Sequence, residues 1–148
     1  MTLKKIVVGI DGSPAAHQAI TWAAARAVET GAEVIVVTAI DADMQFVRDL
    51  PPSGMGAWRS EIHAHLRTDW IEPLTAAGVK HRTQVVEAPP ATAILQVADE
   101  QDADLIVIGA HGHGNLRDRL LGSISYRVTH LARQPVTIIP PDWRSEIA

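Results

Sequence analysis

Residues 105–125 read Leu105-Ile106-Val107-Ile108-Gly109-Ala110-His111-Gly112-His113-Gly114-Asn115-Leu116-Arg117-Asp118-Arg119-Leu120-Leu121-Gly122-Ser123-Ile124-Ser125. The apolar opening, Leu105–Ile108, reads as a buried strand. Ser123–Arg133 reads as a helix. Gly109, Gly112, Gly114 and Gly122 lie between the two. Glycines there let backbone N–H groups approach a ligand with no side chain in the way. The helix start adds partial positive charge and unpaired donors. The combination suits phosphate. A glycine-rich turn that needs only tight geometry is the plain alternative, since such loops without ligands are common.

Outward from this unit, strand-like and helix-like segments alternate along the chain. Lys5–Ile10 is a short β-rich run. Ser13 is placed to cap the helix Ala15–Thr30, with Pro14 at its first position and Gly31 as its stop. Glu33–Ile40 is a second apolar strand, and Asp41–Ala57, with Pro51-Pro52-Ser53-Gly54-Met55-Gly56, reads as a loop. Trp58–Ala77 reads as helical with a break before Pro73, ended by Gly78. Val79–Glu87 is a third strand, polar enough for a sheet edge. A helix over Pro90–Gln101, a strand over Asp104–Gly109, the helix Ser123–Arg133 and a strand over Pro135–Ile139 complete the series. This order predicts an α/β fold: one open, twisted parallel sheet of five strands with helices on both faces. The mostly apolar first, second and fourth strands fit burial on both faces.

The 148 residues fit a single domain, 1–148, with a core of about 4–140 and a tail over 141–148. The absence of cysteine excludes a disulfide framework and thiolate chemistry, and fits the cytoplasm as the expected location. A net charge of −4 disfavours non-specific nucleic-acid binding. No apolar stretch reaches membrane-span length, and Met1-Thr2-Leu3-Lys4-Lys5 leads straight into a strand with no signal-peptide core.

The loop spacing excludes two common phosphate sites. A Walker A loop needs a lysine, and the lysines are Lys4, Lys5 and Lys80. A dinucleotide fingerprint should follow the first strand, but Asp11-Gly12-Ser13-Pro14 stands there. The loop reads Gly-x2-Gly-x9-Gly-Ser through Gly109, Gly112, Gly122 and Ser123. This pattern resembles the ATP-binding type of the universal stress protein family. Val7-Val8-Gly9-Ile10-Asp11-Gly12-Ser13 resembles that family's opening strand and turn, Leu105–Gly109 its fourth strand, and Gln134–Ile139 its last. The likeness covers roughly residues 4–140.

The resemblance implies strand order 3-2-1-4-5, a Rossmann-like arrangement, with a switch point between strands one and four. Ligands bind beyond the strand carboxyl ends at such a point, where Asp11 and Gly109 end their strands. It implies an adenine nucleotide, ATP, with Mg²⁺ arriving on the phosphates. Gly109, Gly112 and Gly114 would present N–H groups to the phosphates, with Ala110 and Ile124 in the same run. Gly122 would let the chain turn close to the nucleotide, and Ser123 and Ser125 would donate hydroxyl hydrogen bonds. Helix capping is the alternative for Ser123. Asp11 would bond adenine or ribose, although Asp-Gly-Ser is also a good turn and cap sequence. Ile10, Ala39 and Ile40 would wall the adenine, or belong to an ordinary core. His111 and His113 straddle Gly112, as phosphate contacts or as exposed loop side chains.

Other residues read as structural. His63 and His65 are about 200° apart on a helix and cannot chelate one ion together. Trp22, Trp58, Trp70 and Trp143 show no stacking pattern for bases. Arg117 and Arg119 suit either phosphate attraction or a charged surface. Two positions depart from the family pattern: Glu87, where relatives usually carry glycine, and Asn115, where a small residue is common. No nucleophile elbow, carboxylate pair or phosphate-loop lysine is present, so no catalytic residue is assigned. The expected function is a nucleotide-responsive stress regulator. The rivals are a slow ATPase, a cyclic-AMP-binding member and a ligand-free interaction module. The short apolar last strand, Pro135–Ile139, predicts a homodimer through that edge.

Overall fold

Strand β1 (Lys5–Gly9) is apolar on both sides, and Ile6, Val7 and Val8 are wholly buried. A strand buried on both faces belongs in the middle of a sheet covered by helices on each side. The computed structural model, which describes residues 2–41, 52–111, 121–140 and 142–145, places it there. β1 pairs in parallel with β2 (Glu33–Ala39) and β4 (Leu105–Gly109). β3 (His81–Val86) lies outside β2, and β5 (Val136–Ile139) outside β4. The five-stranded order is β3-β2-β1-β4-β5, as the resemblance implies. The polar β3 is an edge strand, as its composition predicts.

Alternating side chains feed two cores. Ile6, Val8, Val34, Val36 and Val107 face α1 (Pro14–Thr30), α2 (Pro52–His65) and α3 (Glu72–Ala76). Val7, Ile35, Val37, Ile106 and Ile108 face α4 (Pro90–Glu100) and α5 (Ser123–Leu131). α1 starts where Ser13 Oγ accepts the Ala16 N–H at 3.2 Å, with Pro14 inside the first turn. Its buried face is mostly alanine, so the helix axis approaches the sheet closely. It ends at Gly31, left-handed at φ 76°, whose N–H bonds Ala27 O at 2.8 Å.

The structure departs from the sequence expectation at residues 52–57, which are the first turns of α2 rather than loop. A proline is tolerated at a helix start. Trp58 and Ile62 anchor the helix on the α1-side core, and that burial carries it back through Gly54 and Gly56. The expected break is present: α2 gives way to a single 3₁₀ turn, Asp69–Ile71, and then to α3 with Pro73 in its first turn. The turn at Glu87 does not require glycine. Among the described residues the one non-glycine with positive φ is Asp102, and Glu87 forms an ion pair with Arg59. Trp143 of the tail packs against the α1-side core, and its carbonyl accepts a bond from Gln18 Nε2 at 2.9 Å. No helix among the described residues is long and apolar enough to cross a membrane.

Candidate functional site

In a parallel sheet every strand ends on the same side, and every following helix begins there. The ends of β1, β2 and β4 and the starts of α4 and α5 accordingly surround one solvent-open cleft. Its apolar wall includes Ile10, Val37, Ala39, Ile94 and Ile108. Its polar rim carries Asp11, His111 and Ser125. The structure thus brings Asp11 and Gly109, nearly a hundred positions apart in sequence, to one place at the switch point.

Asp11 lies on the turn out of β1. Its Oδ1 accepts the Ser13 N–H at 2.9 Å, and Ser13 in turn caps α1. The strand end is pinned from β2: Ile10 N–H bonds Val37 O at 2.9 Å, and Thr38 Oγ1 donates to Ile10 O at 3.2 Å. Asp11 can therefore accept hydrogen bonds from a base or a ribose placed over the β1 end.

The start of α5 is the anion-facing part of the cleft. Gly122 is its cap residue and offers no side chain to the first-turn N–H groups. The first intrahelical bond runs from Tyr126 N–H to Gly122 O at 2.9 Å. The N–H groups of Ser123, Ile124 and Ser125 therefore precede the helical ladder, and Ile124 and Ser125 line the cleft. The helix dipole adds partial positive charge at the same point.

The structure reassigns several glycine and serine roles. Gly122 donates its own N–H to Ala110 O at 2.9 Å, which ties the start of α5 to the end of β4. Ala110 is 7 % exposed and donates to Ile139 O at 3.0 Å. Ser125 Oγ shares its proton between Gly109 O at 3.0 Å and Ala110 O at 2.9 Å, leaving only acceptor capacity toward the cleft. Gly109 is required by contact with α1, because a β-carbon there would stand 2.9 Å from Ala15 Cβ and Ala15 O. Ile40, expected on the adenine wall, is 2 % exposed in the α1-side core and does not line the cleft. Ile10 and Ala39 do line it. His111 lines it with a buried Nδ1 that has no hydrogen-bond partner among the described residues. Ser123 is exposed at the first helical position. Gly112, His113 and Gly114 lie outside the described residues, as do Asn115, Arg117 and Arg119.

Sequence reasoning missed Gly9, Val37, Pro90 and Ile94 in the cleft wall. Gly9 carried a usable signal, a glycine at the end of a β-branched strand. A β-carbon there would meet Ile94 Cγ1 at 2.8 Å, so its absence lets α4 close on β1. Among the described residues no group of three or more His, Asp or Glu side chains is placed to hold a metal ion.

An open parallel sheet with its cleft at the switch point, rimmed by a helix start capped by glycine and a strand-end carboxylate, defines a class of Rossmann-like α/β proteins. Within that class, this chain belongs to the universal stress protein family, whose family model matches residues 2–140. It is 35 % identical over 138 residues to universal stress protein Rv2623 of Mycobacterium tuberculosis, covering 90 % of this chain and 46 % of that one. The chain thus spans about half the length of that relative. It superposes on a universal stress protein in complex with cAMP with TM-score 0.75 and 28 % identity, covering 96 % of this chain and 100 % of the other. A universal stress protein from Archaeoglobus fulgidus in complex with dAMP gives TM-score 0.67 and 26 % identity, covering 94 % and 99 %.

Proposed function

We propose that this protein binds an adenine nucleotide, ATP in particular, and acts as a nucleotide-responsive stress regulator. One observation carries the reading: the first turn of α5 has no side-chain cap and opens onto a cleft that pairs an apolar wall with the Asp11 carboxylate. Adenine fits between Ile10, Val37, Ala39 and Ile94, with Asp11 as acceptor for base or ribose. Phosphates take the N–H groups of Ser123, Ile124 and Ser125, where the helix dipole favours negative charge. The glycine loop Gly112–Gly114, which lies outside the described residues, is assigned the terminal phosphates by the family resemblance, with Mg²⁺ accompanying them. The cAMP and dAMP complexes of related proteins support an adenine site in this fold. They also favour a second reading, a ligand with a single phosphate, which would leave the glycine loop without a terminal phosphate to hold. Binding rather than turnover is the proposed role, because the sequence carries no nucleophile elbow and no phosphate-loop lysine.

The test uses protein purified without added nucleotide. Any ligand released on denaturation is identified by mass spectrometry, and Tm is then followed with ATP–Mg²⁺, ADP, AMP and cyclic AMP. A ligand at about 100 times its Kd adds roughly 2.7 kcal/mol. For a chain of this size that is about 5–11 °C. Largest stabilisation by ATP supports the terminal-phosphate role of the loop. Preference for cyclic AMP or AMP selects the single-phosphate reading. No release and no shift with any of the four overturns nucleotide binding and favours the interaction module.

A homodimer through β5 belongs to the same proposal. β5 is an edge strand whose outer side has no strand partner among the described residues, and Val136 and Ile138 are only partly buried. An apolar edge of this kind is blunted by pairing with a second copy.

A further inference from the structure

We propose that Trp70 is a positioning residue for the ligand cleft, bracing from the opposite face the turn that carries Asp11. The inference rests on the nucleotide reading for its functional consequence, but the brace itself is visible in the fold. Gly12 follows Asp11 at φ +81°, a conformation that glycine adopts at no steric cost. The turn is held locally by the Asp11 Oδ1–Ser13 N–H bond and the Ser13 cap, and Trp70 adds a restraint at Gly12 from outside. A β-carbon on Gly12 would stand 2.8 Å from Trp70 Cε2 and 3.2 Å from Trp70 Cη2, so the six-membered ring of the indole lies directly against the glycine α-carbon.

Trp70 is itself held. Its ring stacks on His65 with centroids 4.9 Å apart and planes 6° from parallel. His65 Nδ1 hydrogen bonds Asp69 Oδ1 at 2.7 Å, and Thr68 Oγ1 donates to the same oxygen at 3.1 Å. These residues form the junction between α2 and α3, where the helix breaks into the 3₁₀ turn Asp69–Ile71. The break has a consequence beyond connecting two helices: it turns Trp70 onto Gly12.

A second cavity lies beside the ligand cleft, walled by Gly12, Ser13, Asp69 and Trp70 and sharing Ile10 and Ala16 with the cleft. The Asp11–Ser13 turn is therefore a thin partition with open space on both sides. Trp70 is the large apolar side chain that fills the far side. Without it the partition gains room to move into that cavity, and the Asp11 carboxylate moves with it. Misplacing a charged hydrogen-bond acceptor weakens a ligand by about ten- to a hundredfold.

The experiment compares wild type with Trp70→Ala and Trp70→Phe. Folding is first checked by circular dichroism. Kd is then measured by calorimetry for ATP–Mg²⁺ and for inorganic tripolyphosphate, which reaches the α5 start but has no base or ribose for Asp11. Hydrogen exchange of residues 11–13 is followed without ligand. Expected for Trp70→Ala is at least about a tenfold weaker Kd for ATP, tripolyphosphate affinity unchanged, and faster exchange over 11–13. Trp70→Phe keeps a flat ring on Gly12 and stays within about threefold of wild type in each. A folded Trp70→Ala with wild-type ATP affinity or wild-type exchange over 11–13 overturns the proposal. Equal weakening of ATP and tripolyphosphate also overturns it, since that marks a general loosening. If wild type binds no adenine nucleotide, the nucleotide reading fails by itself, and the exchange measurement still decides whether Trp70 braces the turn. If Trp70→Ala does not fold, Trp70→Leu, apolar but not planar, takes its place under the same criteria.

Discussion

At the residue scale, the glycines of the opening motif do different work. Gly109 is fixed by the approach of α1, and a β-carbon would press on both the side chain and the backbone of Ala15. Backbone gives way less readily than a flexible side chain, so Gly109→Ala is expected to cost about 1–3 kcal/mol, read from chemical denaturation. An unchanged midpoint and slope would show that the helix moves aside freely. Gly122 lies at the α5 cap, where its own N–H is already bonded but the next three lie toward the cleft. Gly122→Glu places a carboxylate beside the proposed phosphate position. Two like charges ~4 Å apart near a protein surface repel by roughly 4 kcal/mol, so ATP affinity should fall by at least about tenfold while circular dichroism stays native. Retained affinity would remove the α5 start from the phosphate site. Ser125, buried with its proton committed to two carbonyls, belongs to the frame of the cleft.

At the scale of elements, the joins between strands carry specific chemistry. Asp104, just before β4, accepts the N–H groups of Lys4 at 2.9 Å and Lys5 at 3.0 Å, stitching β4 to the start of β1. The Lys4 bond first, then the Lys5 bond, hold its carboxyl below the ordinary 3.8, with partial burial opposing and the lysine charges adding. A lowered folded-state value means stabilisation that is fully present above 3.8 and lost as pH falls through the folded value. Stability measured by denaturant from pH 7 downward should fall below that point, and Asp104→Asn should flatten this part of the profile. An identical acid profile in the variant would assign the loss to other carboxylates. α2 offers the opposite kind of change. Gly56 lies inside the helix, and a β-carbon there meets nothing within 4 Å. Gly56→Ala should therefore stabilise by about 0.5–1 kcal/mol, because alanine loses less backbone freedom on folding. A lowered Tm would indicate that this turn of α2 needs glycine for a reason beyond helix propensity.

At the scale of the whole molecule, the unpaired outer side of β5 predicts the assembly. Light scattering at micromolar concentration should give twice the 16.0 kDa chain mass, and a mass of one chain would sink the dimer. The parallel sheet was legible in the sequence, because alternating strand-like and helix-like segments imply one, while its order came from the family resemblance. The convergence of Asp11 and Gly109 followed from that order and the switch-point rule. The helical start at Pro52 was not, because Gly54 and Gly56 argue locally for a loop while Trp58 and Ile62 bury against α1 only in the fold. For Ile40 the sequence left adenine wall and ordinary core both open, and only the covering helices place it in the α1-side core. Trp70 read as an ordinary packing residue, with nothing local to join it to Gly12, fifty-eight positions away. The sequence by itself determined the α/β class and, through its family resemblance, the strand order, since these depend on periodicity, caps and motif spacing along the chain. The tertiary structure alone decided which N–H groups and hydroxyls are already bonded and which side chains brace the turn, since those depend on distances between segments that no local pattern encodes.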